Sequence, residues 1–365
     1  MVAHAVPRLS MVEVVEVDAR RDPRWQDLVE RSAGSLFHGE AWAHVLADTY
    51  GFAPRVLLAL DGDRAVSGMP WCRVDDPGGS RIVSLPFSDH CGPVGAPPFR
   101  ALLDDLVRRG LPVRYRELVD ADRPHDCAGT ADGDGDGDGF RTAGVARWHG
   151  VPVGGDPGSE WWSELADSTR RAVAKARREG VEIVERTDAG FVGEFLRLHT
   201  GVRKRKYRLL PQPRSFFTSI RARFAATGDW HALAAVRGGE LLAATVYLRH
   251  RDTLCYKFNA SDPDGLGARP NDLLLWSGIE LAARLGCTMV DLGASDDDQP
   301  GLIRFKRGFG ALEREIRTRV GGPPVAPEAE RFRTLLADVT HRLTGPDVPD
   351  PCTADAGALL YRYFA

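Results

Sequence analysis

"PRVLLALDGDRAVSGMPWCRV", residues 54–74, reads as an alternating apolar strand, a turn centred on Asp61-Gly62-Asp63, and a second strand. This is a hairpin pattern, because side chains alternate faces along a strand and Asp-Gly supplies the turn conformation. The pattern recurs about 175 residues later in "WHALAAVRGGELLAATVYLR", residues 230–249, around Gly238-Gly239. A further strand follows each hairpin, "RIVSLPFSD" at 81–89 and "TLCYKFNAS" at 253–261. Both halves continue with a helix, "FRALLDDLVRRG" and "NDLLLWSGIELAARLG", and a closing strand, "PVRYREL" and "TMVDLGA". The order hairpin, strand, helix, strand thus occurs twice, which predicts two similar α/β units rather than a short-period solenoid.

The boundary between them is expected near residue 150, giving units at 1–150 and 151–325. A Pro-rich stretch at 326–365, ending in "ALLYRYFA", is expected to pack helices onto the second unit. Just before the boundary lies "DGDGDGDG" at 132–139, whose spacing suggests a calcium loop. Such a loop closes with a bidentate glutamate at its twelfth position, which is Ala143 counted from Asp132 and Val145 counted from Asp134. Residues 130–139 therefore read as a flexible acidic loop.

With 365 residues and 43% hydrophobic content the chain can bury a proper core. No run approaches the roughly 20 apolar residues of a membrane span, and the N-terminus lacks a basic start followed by an apolar stretch. A cytoplasmic protein, monomeric or homodimeric, is expected. Cys72, Cys91, Cys127, Cys255, Cys287 and Cys352 form no C-x-x-C pair, so they read as reduced thiols, with neither a metal site nor a disulfide framework.

A formal net charge of −3 predicts no general affinity for nucleic acid, but the cations are unevenly placed. In "STRRAVAKARREG", Arg171, Lys175 and Arg178 fall at i, i+4 and i+7, on one helical face suited to a phosphate backbone. In "RKRKYRLLPQPRSFF", Arg203, Lys204, Arg205 and Lys206 combine with Tyr207, and Pro211 and Pro213 predict a loop able to close over a ligand. In "PGLIRFKRGFGA", residues 300–311, Lys306 stands between aromatics and glycines, where a partly desolvated ammonium acts strongly on an oxyanion. Phe305 lies beside it, and Arg304 and Arg307 flank it as substrate-binding candidates. Asp89 and His90 in "FSDHC", and Asp291 at a strand end, are the candidate proton acceptors. Tyr256 and Asn259 are expected on one face of their strand, lining a cleft, with Lys257 facing away. Asn271 stands at the start of the following helix as a binding residue or N-cap.

Taken in order, "SLPFSDHCGPV", "STRRAVAKARREG", "RKRKYRLLPQPRSFF", "RPNDLLLWSGIELAARLGCTMVDLGAS" and "GLIRFKRGFGA" resemble the FemAB-like branch of the GNAT superfamily, over most of residues 30–320. The resemblance implies an α/β (α+β) protein of two GNAT-like subdomains in tandem, each a mixed sheet flanked by helices. It implies transfer of an aminoacyl group from aminoacyl-tRNA to an amine, in a peptidoglycan precursor or a peptide-like natural-product acceptor. No cofactor is implied, aminoacyl-tRNA being a co-substrate, and the F-K-R motif places Lys306 and Phe305 at the reaction centre. The long paired-helix arm of some members is not expected here, because no segment sustains heptads.

The alternative donor is acyl-CoA, whose pyrophosphate such folds bind with a loop opening a helix. The corresponding stretch, "DPDGLGARPND", carries Asp262 and Asp264, which oppose an anion, although Arg269 could compensate. A third class is a noncatalytic binding subunit of an envelope or biosynthetic system.

Overall fold

The computed structural model describes residues 13–97, 99–119, 139–154 and 160–365. The first half contains β1 (Glu13–Asp18), α1 (Pro23–Arg31), α2 (Glu40–Tyr50), β2 (Arg55–Asp61), β3 (Arg64–Asp76), β4 (Gly79–Val83), β5 (Val94–Gly95), α3 (Arg100–Arg108) and β6 (Val113–Leu118). The strand β7 (Phe140–Pro152) leads to α4 (Glu160–Glu164), α5 (Asp167–Arg178), β8 (Glu182–Glu185), α6 (Phe191–Gly201) and α7 (Arg214–Ala225). The second hairpin is β9 (Trp230–Arg237) and β10 (Glu240–His250), followed by β11 (Thr253–Ser261), α8 (Pro270–Arg284) and β12 (Met289–Asp296). The chain ends with α9 (Pro300–Arg307), β13 (Leu312–Gly321), α10 (Pro327–Leu343) and α11 (Asp350–Leu360).

The twofold pattern is present in the backbone. β2, β3 and β4 pair antiparallel, and α3 returns the chain so that β6 runs parallel to β4. β9, β10 and β11 repeat this, and α8 returns β12 parallel to β11. Both parallel ladders are short. Ile82 and Val83 pair with Val113 and Arg114, and Thr253 to Cys255 pair with Met289 to Asp291, after which the partners separate. The strand expected at 81–89 ends at Val83, leaving Ser84–His90 as an irregular segment that reaches the second unit.

Two features correct the expected division. β7 runs through residue 150, where a boundary was expected, because its ladders to β12 and β13 need the whole strand. β13 in turn pairs with β6, so the order β1-β2-β3-β4-β6-β13-β7-β12-β11-β10-β9-β8 forms one continuous sheet. The largest core joins Leu36, Trp42 and Leu85 from the first unit to Phe191, Phe216 and Val246 from the second. The extension after residue 325 also touches both units. α11 lies on α6, α10 passes against Gly78, and Tyr361 packs on Tyr50 and Phe87. The Asp-Gly run at 132–138 lies outside the described residues. Among the described residues no helix is long and apolar enough to cross a membrane.

Candidate active site

The site begins at a distortion of β12. Gly293 has φ +68, a left-handed conformation that favours glycine, and the β12–β7 register shifts between Asp291 and Ala294. The distortion turns the Gly293 N–H onto Asp291 Oδ1 (2.7 Å) and presents two carbonyl oxygens to α9. Lys306, buried in the last turn of α9, donates to the carbonyls of Gly293 and Ala294, each at 3.0 Å. A Cβ at position 293 would stand 2.9 Å from Asp89 Oδ2, so the glycine also makes room for a carboxylate from the other unit.

Asp89 accepts from Lys257 Nζ at 3.2 Å. Lys257 lies against the rings of Phe37 (4.4 Å) and Trp42 (5.4 Å), which desolvate the ammonium and supply π-faces to it. It occupies this place because of a β-bulge. Val246 pairs with Phe258 and Tyr247 with Tyr256, leaving Lys257 without an opposite residue. The extra residue reverses the alternation, so Tyr256 and Asn259, three apart, share a face and Lys257 points the other way.

Two lysines and two carboxylates therefore converge, Asp89 and Lys257 alone being 168 residues apart in the chain. Their electrostatics divide the roles. Burial pushes Asp291 up to about 6, with the Gly293 N–H opposing and the Asp89 charge adding to the shift. Burial pulls Lys306 down to about 8, against the attraction of Asp89, Asp291 and Asp296. For Asp89, burial works to raise the pKa, but the Lys257 ammonium, with Arg116, outweighs it and holds the carboxyl below its ordinary value. A carboxylate poised near neutrality beside a lysine still mostly charged can accept a proton and stabilise negative charge in the same place.

A cavity of about 360 Å³ opens beside Asp89 and Lys257. Its other walls include His199, Arg203, Tyr207 and Gln212, with Asn259 and Tyr361. α6 continues into a π-helical turn over Val202–Tyr207, which puts Arg203 and Tyr207 on the cavity side. The segment expected to be a loop is thus helical as far as Tyr207, and Pro211 and Pro213 lie only in the link to α7.

Several expected site residues are engaged elsewhere. Lys204 is buried and donates to the carbonyl of Val348 and to Asp350 (2.9 Å), and Arg205 reaches the same carboxylate (3.1 Å). Their positive charge holds the C-terminal extension instead of a substrate. Lys206 is stacked over Tyr207 (4.9 Å) on the surface. Arg307 points away from Lys306 and chelates Glu313 of β13 (2.9 Å), while Arg304 is exposed. Phe305 packs edge-on to Phe309 (5.2 Å) within the second unit's core. His90 is buried edge-on to Phe37, and burial, then His38, pushes its pKa to about 3, too weakly basic to take a proton at neutral pH. Tyr256 packs on Tyr247 and Asn271 bonds Asn259 (3.2 Å), so both lie behind the strand, on its α8 side. On α5, Arg171 and Arg178 are exposed without an ion-pair partner among the described residues, and Lys175 pairs with Glu179 at 3.4 Å. The contributors that sequence reasoning missed are Lys257, Gly293, His199 and Gln212.

The class of protein follows from this architecture and from comparison with known proteins. Residues 164–307, a stretch that includes α5, β11, β12 and Lys306, match the family model described as the acetyltransferase (GNAT) domain. No curated protein sequence matches the chain. Among solved structures, FemX superposes with a TM-score of 0.63 at 14% identity, over 84% of this chain and 96% of its own. A tandem GNAT protein from the clavulanic acid biosynthesis pathway gives 0.52 at 13% identity, over 86% and 100%. L-PGS from Bacillus licheniformis gives 0.51 at 12% identity, over 90% and 99%. The chain thus shares the fold of FemX and of the tandem GNAT protein over most of its length.

Proposed function

We propose that this protein moves an aminoacyl group from aminoacyl-tRNA to the amine of a peptidoglycan precursor or of a peptide-like natural-product acceptor. The observation that carries the reading is the contact of Lys257 with Asp89 beside Gly293, where Lys306 and Asp291 also meet. Aminolysis of an ester is already downhill, so the chain's work is to orient the amine, take its proton and stabilise the oxyanion. The acceptor amine enters through the cavity beside Asp89, with Tyr207 and Arg203 on the opposite wall. Asp291, at about 6, is the stronger base of the two carboxylates and takes the proton through Asp89 or a water. Lys306 spends two of its three N–H donors on the β12 carbonyls, leaving one for the developing oxyanion. The exposed face of α5 supplies Arg171 and Arg178 for the tRNA phosphates.

An acyl-CoA donor ranks second. Arg269, the cation that could offset Asp262 and Asp264 at the start of α8, is paired with Asp272 at 3.1 Å. Incubating the purified protein with charged tRNA and, separately, with acetyl-CoA, each with a pool of amines, separates the two. Product from charged tRNA is expected, and product with acetyl-CoA alone would reverse the ranking.

A further inference from the structure

A second and larger cavity, of about 1120 Å³, lies on the face of the sheet opposite α3, where α10 and the C-terminal residues roof β4, β6, β13 and the start of β7. Five arginines from four elements line it: Arg81 of β4, Arg114 and Arg116 of β6, Arg141 of β7 and Arg333 of α10. No aspartate or glutamate lines it among the described residues. Arg81 is satisfied by Asp76 and by the carbonyl of Ala365 (2.6 Å). The guanidinium groups of the other four have no ion-pair or hydrogen-bond partner among the described residues, and Nε of Arg116 is buried without an acceptor. Like charges thus converge with no carboxylate among the lining residues, Arg116 half-buried and Arg114, Arg141 and Arg333 open to the solvent of the recess. Desolvation by the surrounding walls, and then the charges of Arg116, Arg333 and Arg81, lower the pKa of Arg114.

We propose that this cavity is a second ligand site, for a small organic molecule that carries a pyrophosphate. Convergent guanidinium forks match paired phosphate oxygens bidentately, and a single carboxylate would leave most of these donors unmet. The volume admits a nucleotide-sized molecule, whereas the roof of α10 keeps a duplex phosphate backbone off the sheet. Pro86, Phe87 and Leu336 supply apolar wall for an uncharged portion. Phe87 and Ser88 line both cavities, so the ligand is held one wall away from Asp89. The site does not depend on which acyl donor the enzyme uses.

Calorimetric titration of the full chain with inorganic pyrophosphate tests it, with orthophosphate, uridine diphosphate and coenzyme A as separate arms. Saturable pyrophosphate binding, tighter than that of orthophosphate, is expected. Tighter binding still by uridine diphosphate or coenzyme A would support the site and identify the source of the pyrophosphate. The Arg114→Gln/Arg333→Gln variant should weaken binding by at least about tenfold, as should Arg141→Gln alone if the double variant melts early. Arg171→Gln/Arg178→Gln on α5 should leave binding unchanged. The site is refuted by absent or non-saturable binding, by orthophosphate binding as tightly as pyrophosphate, or by affinity within twofold of the parent in folded Arg114/Arg333 and Arg141 variants. A loss confined to the α5 variant would refute it as well.

Discussion

Lys306 has the geometry of an anchored donor, with two hydrogen bonds to carbonyls fixing the ammonium and three carboxylates pulling on its charge. Losing one preorganised donor at an oxyanion costs on the order of 100- to 1,000-fold in turnover, so Lys306→Met should fall by that factor at saturating substrates. Lys306→Arg should not restore the rate, because a planar guanidinium cannot fit between the same two carbonyls. Activity should rise with pH as Asp291 ionises near 6 and fall as Lys306 loses its proton near 8, and Lys306→Met should flatten the alkaline limb. Turnover of folded Lys306→Met within a few-fold of the parent would remove the lysine from the mechanism. Both shifts cost stability at neutral pH. Stability is lost as pH rises from the ordinary 3.8 to about 6 at Asp291, and regained between about 8 and the ordinary 10.5 at Lys306. Lys306 stood out among its aromatics and glycines, Asp89 in "FSDHC" and Asp291 at a strand end, and the fold brings these three candidates together. Lys257 did not stand out, because only the partner strand's register reveals the bulge that aims it at Asp89.

At the scale of elements, α6 and its π-helical turn serve two functions with one cationic run. Arg203 and Tyr207 face the cavity, while Lys204 and Arg205, one and two residues on from Arg203, grip Asp350 at the start of α11. The sequence marks the run as cationic but cannot say which side chains meet a ligand, because an acid 146 residues away in the chain decides it. The Lys204 ammonium is nearly fully buried, so Asp350→Asn leaves it short of its countercharge and should cost about 1–3 kcal/mol in urea unfolding. Asp347→Asn, a neighbouring acid outside this contact, is the control. The two substitutions costing the same would mean that the Lys204–Asp350 pair does not hold the extension.

In the whole molecule the two α/β units were legible as a repeat, yet their independence was not. Periodicity identifies each strand's inward face, but which strand lies beside which depends on long-range pairing that no local pattern encodes. Thus β7 and β13, from opposite sides of the second unit's sequence, lie side by side and carry the sheet into β6. A boundary at 150 would cut β7 near its end and remove the strands that β13 and β12 share. The core linking Trp42 to Phe216 and Leu85 to Val246 would be opened at the same time. Structures that share a core and a sheet unfold together, so urea denaturation should follow one transition, with tryptophan fluorescence and far-ultraviolet circular dichroism coinciding. A chain starting at residue 151 should fail to reach that folded state, since β12 and β13 lose most of their common partner and Asp89 is gone from Lys257. Two separated transitions in the full chain, or a cooperatively folded 151–365 fragment, would mean that each unit is stable alone and that the shared sheet adds little.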